Sequence, residues 1–176
     1  FMATAAAVAM IGSTLAISSA ASAGPGVNAP ASIRLSGADR YATAVDVADQ
    51  IFVGNQGITI VNGESFADGL ASAHLFDVIL LTEADSIPAA TAEWLNTKCE
   101  DGDINYINVV GGVDAVSSAV FEELLECGVI VERIAGANRY STAIAVAEYM
   151  GNAGAIILAT GENFPDALAA GPLSQE

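Results

Sequence analysis

The chain has 176 residues, enough for one ordinary domain and part of another. Apolar residues make up 53% and charged residues only 15%, so a core can be buried and intrinsic disorder is excluded. With 21 acidic against 5 basic residues the net charge is −16, which excludes nucleic-acid binding through a general basic surface and adsorption to anionic lipid. Two readings of that charge stay open: a well-solvated acidic exterior, or adaptation to salt or to a cation-rich surrounding.

Residues 1–23 carry no charge and end in Ala-Ser-Ala. This is the pattern of the apolar and cleavage regions of a secretory signal peptide lacking its basic start. A transmembrane helix is the competing reading. Dilution by Ala, Ser, Thr and Gly, with no basic stop-transfer flank, speaks against it. Export with cleavage near Ala23 is the expectation, leaving no stable membrane span, and residues 24–31 follow as a flexible leader.

From Ser32 the chain alternates short apolar runs with helical periodicity. Tyr41 to Phe52 is apolar at 41, 44, 45, 47, 48, 51 and 52, which predicts a helix with one buried face, capped by Asp39. Ile58 to Val61 reads as a strand. Ser65 to Leu75 reads as a helix, with Ser65 and Asp68 in capping-box spacing. Val78 to Leu81 is a second strand. Pro88 to Thr97 is a helix opening on proline, Tyr106 to Val110 a strand, Ser117 to Glu126 a helix and Val129 to Ile134 a strand. Strands alternating with helices predict an α/β fold with a mainly parallel sheet covered on both faces.

Arg34 to Ala48, RLSGADRYATAVDVA, returns 99 residues later as Arg133 to Ala147, RIAGANRYSTAIAVA, with nine of fifteen positions identical. A second pair follows in the same order: Gly63 to Ala71, GESFADGLA, against Gly161 to Ala169, GENFPDALA. The chain is thus a tandem repeat. We expect a first copy over 32–131 and a second, truncated copy over 132–176.

Every arginine lies in the opening block R-x-x-G-A-[DN]-R-Y. Arg40 and Arg139 fall at helix N-termini, where dipole and free N–H groups favour anions. Arg34, Arg40, Tyr41, Arg133, Arg139 and Tyr140 are therefore candidate ligand-binding residues. The alternative is that the arginines pair with carboxylates and tie repeat to repeat. Asp68 and Asp166 read as helix caps rather than catalytic acids.

No catalytic constellation is legible. Gly111 and Gly112 sit in a strand-to-helix turn, but the G-x-G-x-x-G fingerprint and the Walker lysine are missing, so a tight βα turn is the reading. His74 is the only histidine, there is no cysteine cluster for a metal, and G-x-S-x-G does not occur. No cofactor is expected. Cys99 and Cys127, the only cysteines, each precede a strand. Two parallel strands put both loops at one end of the sheet, so a disulfide is predicted.

These blocks, together with I-L-L-T and V-V-G-G, resemble the cell wall-binding repeat 2 family of bacterial surface-layer and wall-anchored proteins. The resemblance covers nearly everything after Ser32. It implies a Rossmann-like α/β module whose copies, usually three, pack together and hold a secreted protein on the wall. The implied partners are an anionic secondary cell-wall polymer or peptidoglycan, and neighbouring repeats. The family's Ile-Leu-Leu anchoring motif falls on Ile79, Leu80 and Leu81, which on their own read as a buried strand. Gly69 and His74 depart from the pattern that Ala167 and Pro172 keep. Two other functional classes remain open: the targeting part of an exported wall-modifying enzyme, an amidase or protease, and a self-assembling surface protein.

Overall fold

The computed structural model describes residues 32–75, 77–151 and 156–170. The expected signal peptide and leader lie outside these residues. The chain divides into a unit ending at Arg34 and a unit beginning at Leu35. The second unit contains α1 (Arg40–Ile51), β1 (Gln56–Asn62), α2 (Phe66–Ser72), a 3-10 turn (Ala73–Leu75) and β2 (Val78–Thr82). It continues through α3 (Ala89–Asp101), β3 (Ile104–Val110), α4 (Ser118–Leu125), β4 (Ile130–Ile134), α5 (Arg139–Met150) and α6 (Pro165–Ala170).

The four strands form one parallel sheet in the order β2-β1-β3-β4. Alternation of side chains sorts the strands into two faces. Ile58, Ile60, Val78, Leu80, Ile107 and Val109 belong to a core with Ala48 of α1, Trp94 and Leu95 of α3, and Val120 and Leu124 of α4. Val61, Val110 and Ile134 pack instead with Val146 of α5, beside Ala71 and Leu75. Helices on both faces explain why β1 reads as a near-continuous apolar run, buried from Gly57 to Asn62.

Several boundaries differ from the sequence expectation. β1 and β3 begin two residues early, because backbone pairing continues through Gln56 and Ile104, where no apolar period marks it. Pro88 is the N-cap of α3 rather than its first helical residue, and the helix runs on to Asp101 before Gly102, at φ 73°, turns the chain left-handed. The single buried face expected for α1 is corrected too. Val47 and Ile51 are 37% and 52% exposed, and Ala48 alone is fully buried. Asp39 caps α1 as expected, its side chain accepting from the Ala42 N–H.

The capping box of α2 is also corrected. Ser65 stands at the N-cap, but its side chain makes no cap hydrogen bond, and Asp68 is buried instead. β4 spans the boundary expected at 131/132: Val131 pairs with Ile107 and Arg133 with Val109. The second arginine block therefore starts on the last strand of the first sheet. α5 then lies beside α2 on the second face, so the second copy opens by covering the first. Among the described residues no helix is long and apolar enough to cross a membrane.

Candidate functional site

The repeated block builds the same device twice. In the first copy the Gly37 N–H donates to Thr43 Oγ1 at 2.9 Å, and in the second the Gly136 N–H donates to Thr142 Oγ1 at 3.1 Å. These bonds fold the approach back onto the helix start so closely that a Cβ on either glycine would strike the backbone of Ala42 or Ser141. Asn138 caps α5 in a full capping box with Ser141.

The first helical residue then reaches to the turn after the repeat's apolar run. Arg40 Nη1 donates to the Gly63 carbonyl at 2.7 Å, and Arg139 Nη1 donates to the Gly161 carbonyl at 2.7 Å. The adjoining tyrosine closes over the same glycine. A Cβ on Gly63 would lie 2.7 Å from Tyr41 Cε1, and one on Gly161 would lie 2.5 Å from Tyr140 Cε1. R-Y and G-E-x-F, distant in sequence, are two halves of one lock.

Around each lock the surface is charged and aromatic. Burial, then Glu83 and Glu64, push the Tyr41 hydroxyl above its ordinary pKa. Tyr140 is raised first by its hydrogen bond to Glu162, to which its hydroxyl donates at 3.1 Å. The Arg139 guanidinium stands 5.6 Å from the Phe66 ring of the first copy, and Phe66 meets Phe164 edge-on at 6.0 Å. Arg139, Phe66, Phe164 and Tyr140 thus share one exposed area joining the copies. Sequence reasoning missed the two phenylalanines, although their identity in GESF and GENF was a usable signal.

The other two arginines differ. Arg133 is half-buried on β4. Its Nη1 donates to the Gly111 carbonyl at 2.9 Å, its Nη2 to the Ser117 carbonyl at 3.4 Å, and its guanidinium stacks 5.0 Å from Phe121. Burial lowers its pKa. Arg133 ties the β3–α4 turn to β4. Arg34 is exposed, in the unit that precedes Leu35. Among the described residues, Arg40, Arg133 and Arg139 donate to backbone carbonyls, where the pairing alternative expected carboxylates.

The crevice between the carboxyl ends of β1 and β3, where such sheets take nucleotides, is filled. Asn62 Nδ2 donates to the Ala115 carbonyl at 2.6 Å while its Oδ1 accepts from the Glu64 N–H at 2.6 Å. Asp68 Oδ2 lies 3.0 Å from where a Cβ on Gly111 would stand, and Gly111 is held at φ 120°. Burial raises the Asp68 pKa, with Arg139 opposing. Gly111 donates to the Ile134 carbonyl at 3.0 Å, so this glycine turn joins strands rather than cradling phosphate. Among the described residues no group of three or more His, Cys, Asp or Glu is placed to hold a metal.

On β2, Leu80 is fully buried, whereas Ile79 and Leu81 are partly buried beside α2's end. Cys99 and Cys127 are joined in a disulfide, their Cα atoms 5.2 Å apart. A polar cluster unseen in the sequence gathers on Asp77. It accepts from Thr59 Oγ1 at 2.9 Å, the Tyr106 hydroxyl at 2.8 Å and Asn108 Nδ2 at 3.1 Å. Burial and the bond to Asp77 push Tyr106 up to about 12.

Comparison with known proteins places this arrangement. Residues 34–121 and 133–176 match the model of a family described as cell wall binding domain 2. The chain is 33% identical over 143 residues to N-acetylmuramoyl-L-alanine amidase LytC of Bacillus subtilis (strain 168), an alignment covering 79% of this chain and 28% of that protein. It is 30% identical over 151 residues to the amidase enhancer of the same strain, covering 84% of this chain and 21% of that one. Among solved structures it is similar to Cwp6 from Clostridium difficile, with a TM-score of 0.58 and 30% identity over 66% of this chain and 18% of that one. Cwp8 from Clostridium difficile gives a TM-score of 0.58 and 32% identity over 65% of this chain and 20% of that one. The chain therefore spans less than a third of the length of each of these relatives. With its parallel α/β sheet and its duplicated arginine lock, the chain belongs to the cell wall binding domain 2 family.

Proposed function

We propose that this chain is a non-catalytic module that holds an exported protein on the bacterial cell wall by binding an anionic wall polymer. The observation that carries the reading is the twin lock. It fixes Arg40 and Arg139 at the first turns of α1 and α5, each an exposed residue with one Nη on a carbonyl. A guanidinium has five donors, so each fork keeps further donors beyond its carbonyl bond, at a helix end that already favours anions. Exposed Phe66, Tyr140 and Phe164 supply the apolar faces beside Arg139 on which sugar rings stack.

The net charge of −16 does not forbid this, because at physiological salt charges beyond roughly 8 Å are largely screened. Arg133 holds the fold rather than the ligand. Leu80, being fully buried, supports the binding surface from within, while Ile79 and Leu81 back it from the second face. Similarity to an amidase across 28% of that protein favours a second reading, in which this module is the targeting part of a wall-modifying enzyme. Binding is the same in both.

Cosedimentation with purified walls, before and after removal of their anionic polymers, tests the proposal. The chain should pellet with intact walls and stay soluble with stripped ones. Arg40→Ala with Arg139→Ala should abolish pelleting at least tenfold while the circular dichroism spectrum is kept. Pelleting that survives stripping would transfer the role to peptidoglycan or to self-assembly. No pelleting at all would end the anchor reading.

A further inference from the structure

The Cys99–Cys127 bond changes which parts of the chain can be pulled. Cys99 lies in the last turn of α3 and Cys127 lies two residues beyond α4, so the bond encloses 100–126, which contain all of β3 and all of α4. β3 is an inner strand, paired in parallel to β1 on one side and to β4 on the other. Between α3 and α4 runs an open groove of about 400 Å³, whose lining includes Leu95, Leu124 and the two cysteines. Side-chain packing leaves a gap between these helices, and the covalent bond crosses it.

We infer that this disulfide is a mechanical bypass that keeps β3 and α4 out of the line of tension when the module is loaded from its ends. In the oxidised chain, force arriving along α3 leaves through Cys99, crosses to Cys127 and continues into β4. Residues 100–126 carry none of it. β3 then remains a seated template between β1 and β4. In the reduced chain the same force runs through β3 itself and draws it out of the sheet. The inference deepens the anchor reading, because a protein held on a wall at one place and joined to a cargo at another is under load.

Single-molecule pulling of the full chain tests it without any wall ligand. Tethered through its termini, the reduced protein should extend about 90 Å further than the oxidised one, given the 28-residue separation at roughly 3.4 Å per residue less the span of the bond. Its rupture force should also be lower. A second tether keeps the test decisive where the reduced chain loses its fold at rest. The oxidised protein is pulled between its N-terminus and a linker at Gly112, where an added Cβ meets nothing within 4 Å. That attachment puts β3 back in the line of tension, and rupture should come at lower force than between the termini. Equal rupture forces for the two tethers of the oxidised protein overturn the bypass, as does an unchanged extension on reduction. Failure of cosedimentation would remove the anchor role and leave these force curves as they are.

Discussion

Asp68 is a carboxylate kept in the wrong medium. It is 8% exposed, rests on Gly111, and its pKa is raised mainly by burial, with Arg139 pulling the other way. A carboxylate with a raised folded pKa favours the folded state when protonated. Its charge lowers stability at neutral pH, and stability is regained as pH falls through the folded pKa towards the ordinary value of about 3.9. Asp68→Asn should therefore raise the denaturation midpoint at pH 7 and flatten that part of the pH profile relative to wild type. A midpoint that drops at pH 7 would show that the pull of Arg139 outweighs burial. The same residue marks a limit of sequence reading, since S-x-x-D spacing is common to caps and to buried acids, and the letters do not say which way the side chain turns. Arg40 and Arg133 make the point again. Both were visible as arginines in a repeated block, but their acceptors are backbone carbonyls, which have no letter of their own.

At the level of elements, the strands and helices were legible because β1 and β2 are short apolar runs and β3 and β4 hold apolar stretches between helical segments. Their order in the sheet was not, because parallel strands buried on both faces look alike to a periodicity argument. Contacts across strands depend on that order. The Tyr106 ring lies over Gly57 so closely that a Cβ there would stand 2.2 Å from Tyr106 Cζ. Gly57→Ala should destabilise by about 1–3 kcal/mol, and Tyr106→Ala in the same chain should recover part of that loss. Denaturant midpoints of the two single variants and the double variant measure it, and strictly additive losses would refute the contact. The disulfide was legible from compartment and position together. Closing a 28-residue loop is worth about 3.6 kcal/mol by chain entropy, so Cys99→Ser with Cys127→Ser should lower unfolding free energy by roughly that amount. A loss below about 1 kcal/mol would mean that the sheet already confines both ends.

Over the whole molecule, the two copies share a boundary strand, and the helix of one lies on the sheet of the other. Val146 of α5 is buried in that contact, while Ile144 of the same helix is 58% exposed. Apolar residues thus stand on more than one side of α1 and α5, exposed Val47, Ile51 and Ile144 among them, and a search for one apolar stripe misreads both helices. The locks carry a last consequence. Arg40 and Gly63 are 23 residues apart, Arg139 and Gly161 only 22, yet both bonds measure 2.7 Å. The lock closes with either length of connection between its two partners, as a buckle closes on either length of strap. Gene duplication with ragged breakpoints in that connection would still yield working copies, and the module can be lengthened there by design. One glycine inserted after Gly54 should leave a single cooperative melting transition with its midpoint within a few degrees of wild type; a broadened or split transition would mean that the strap has no slack.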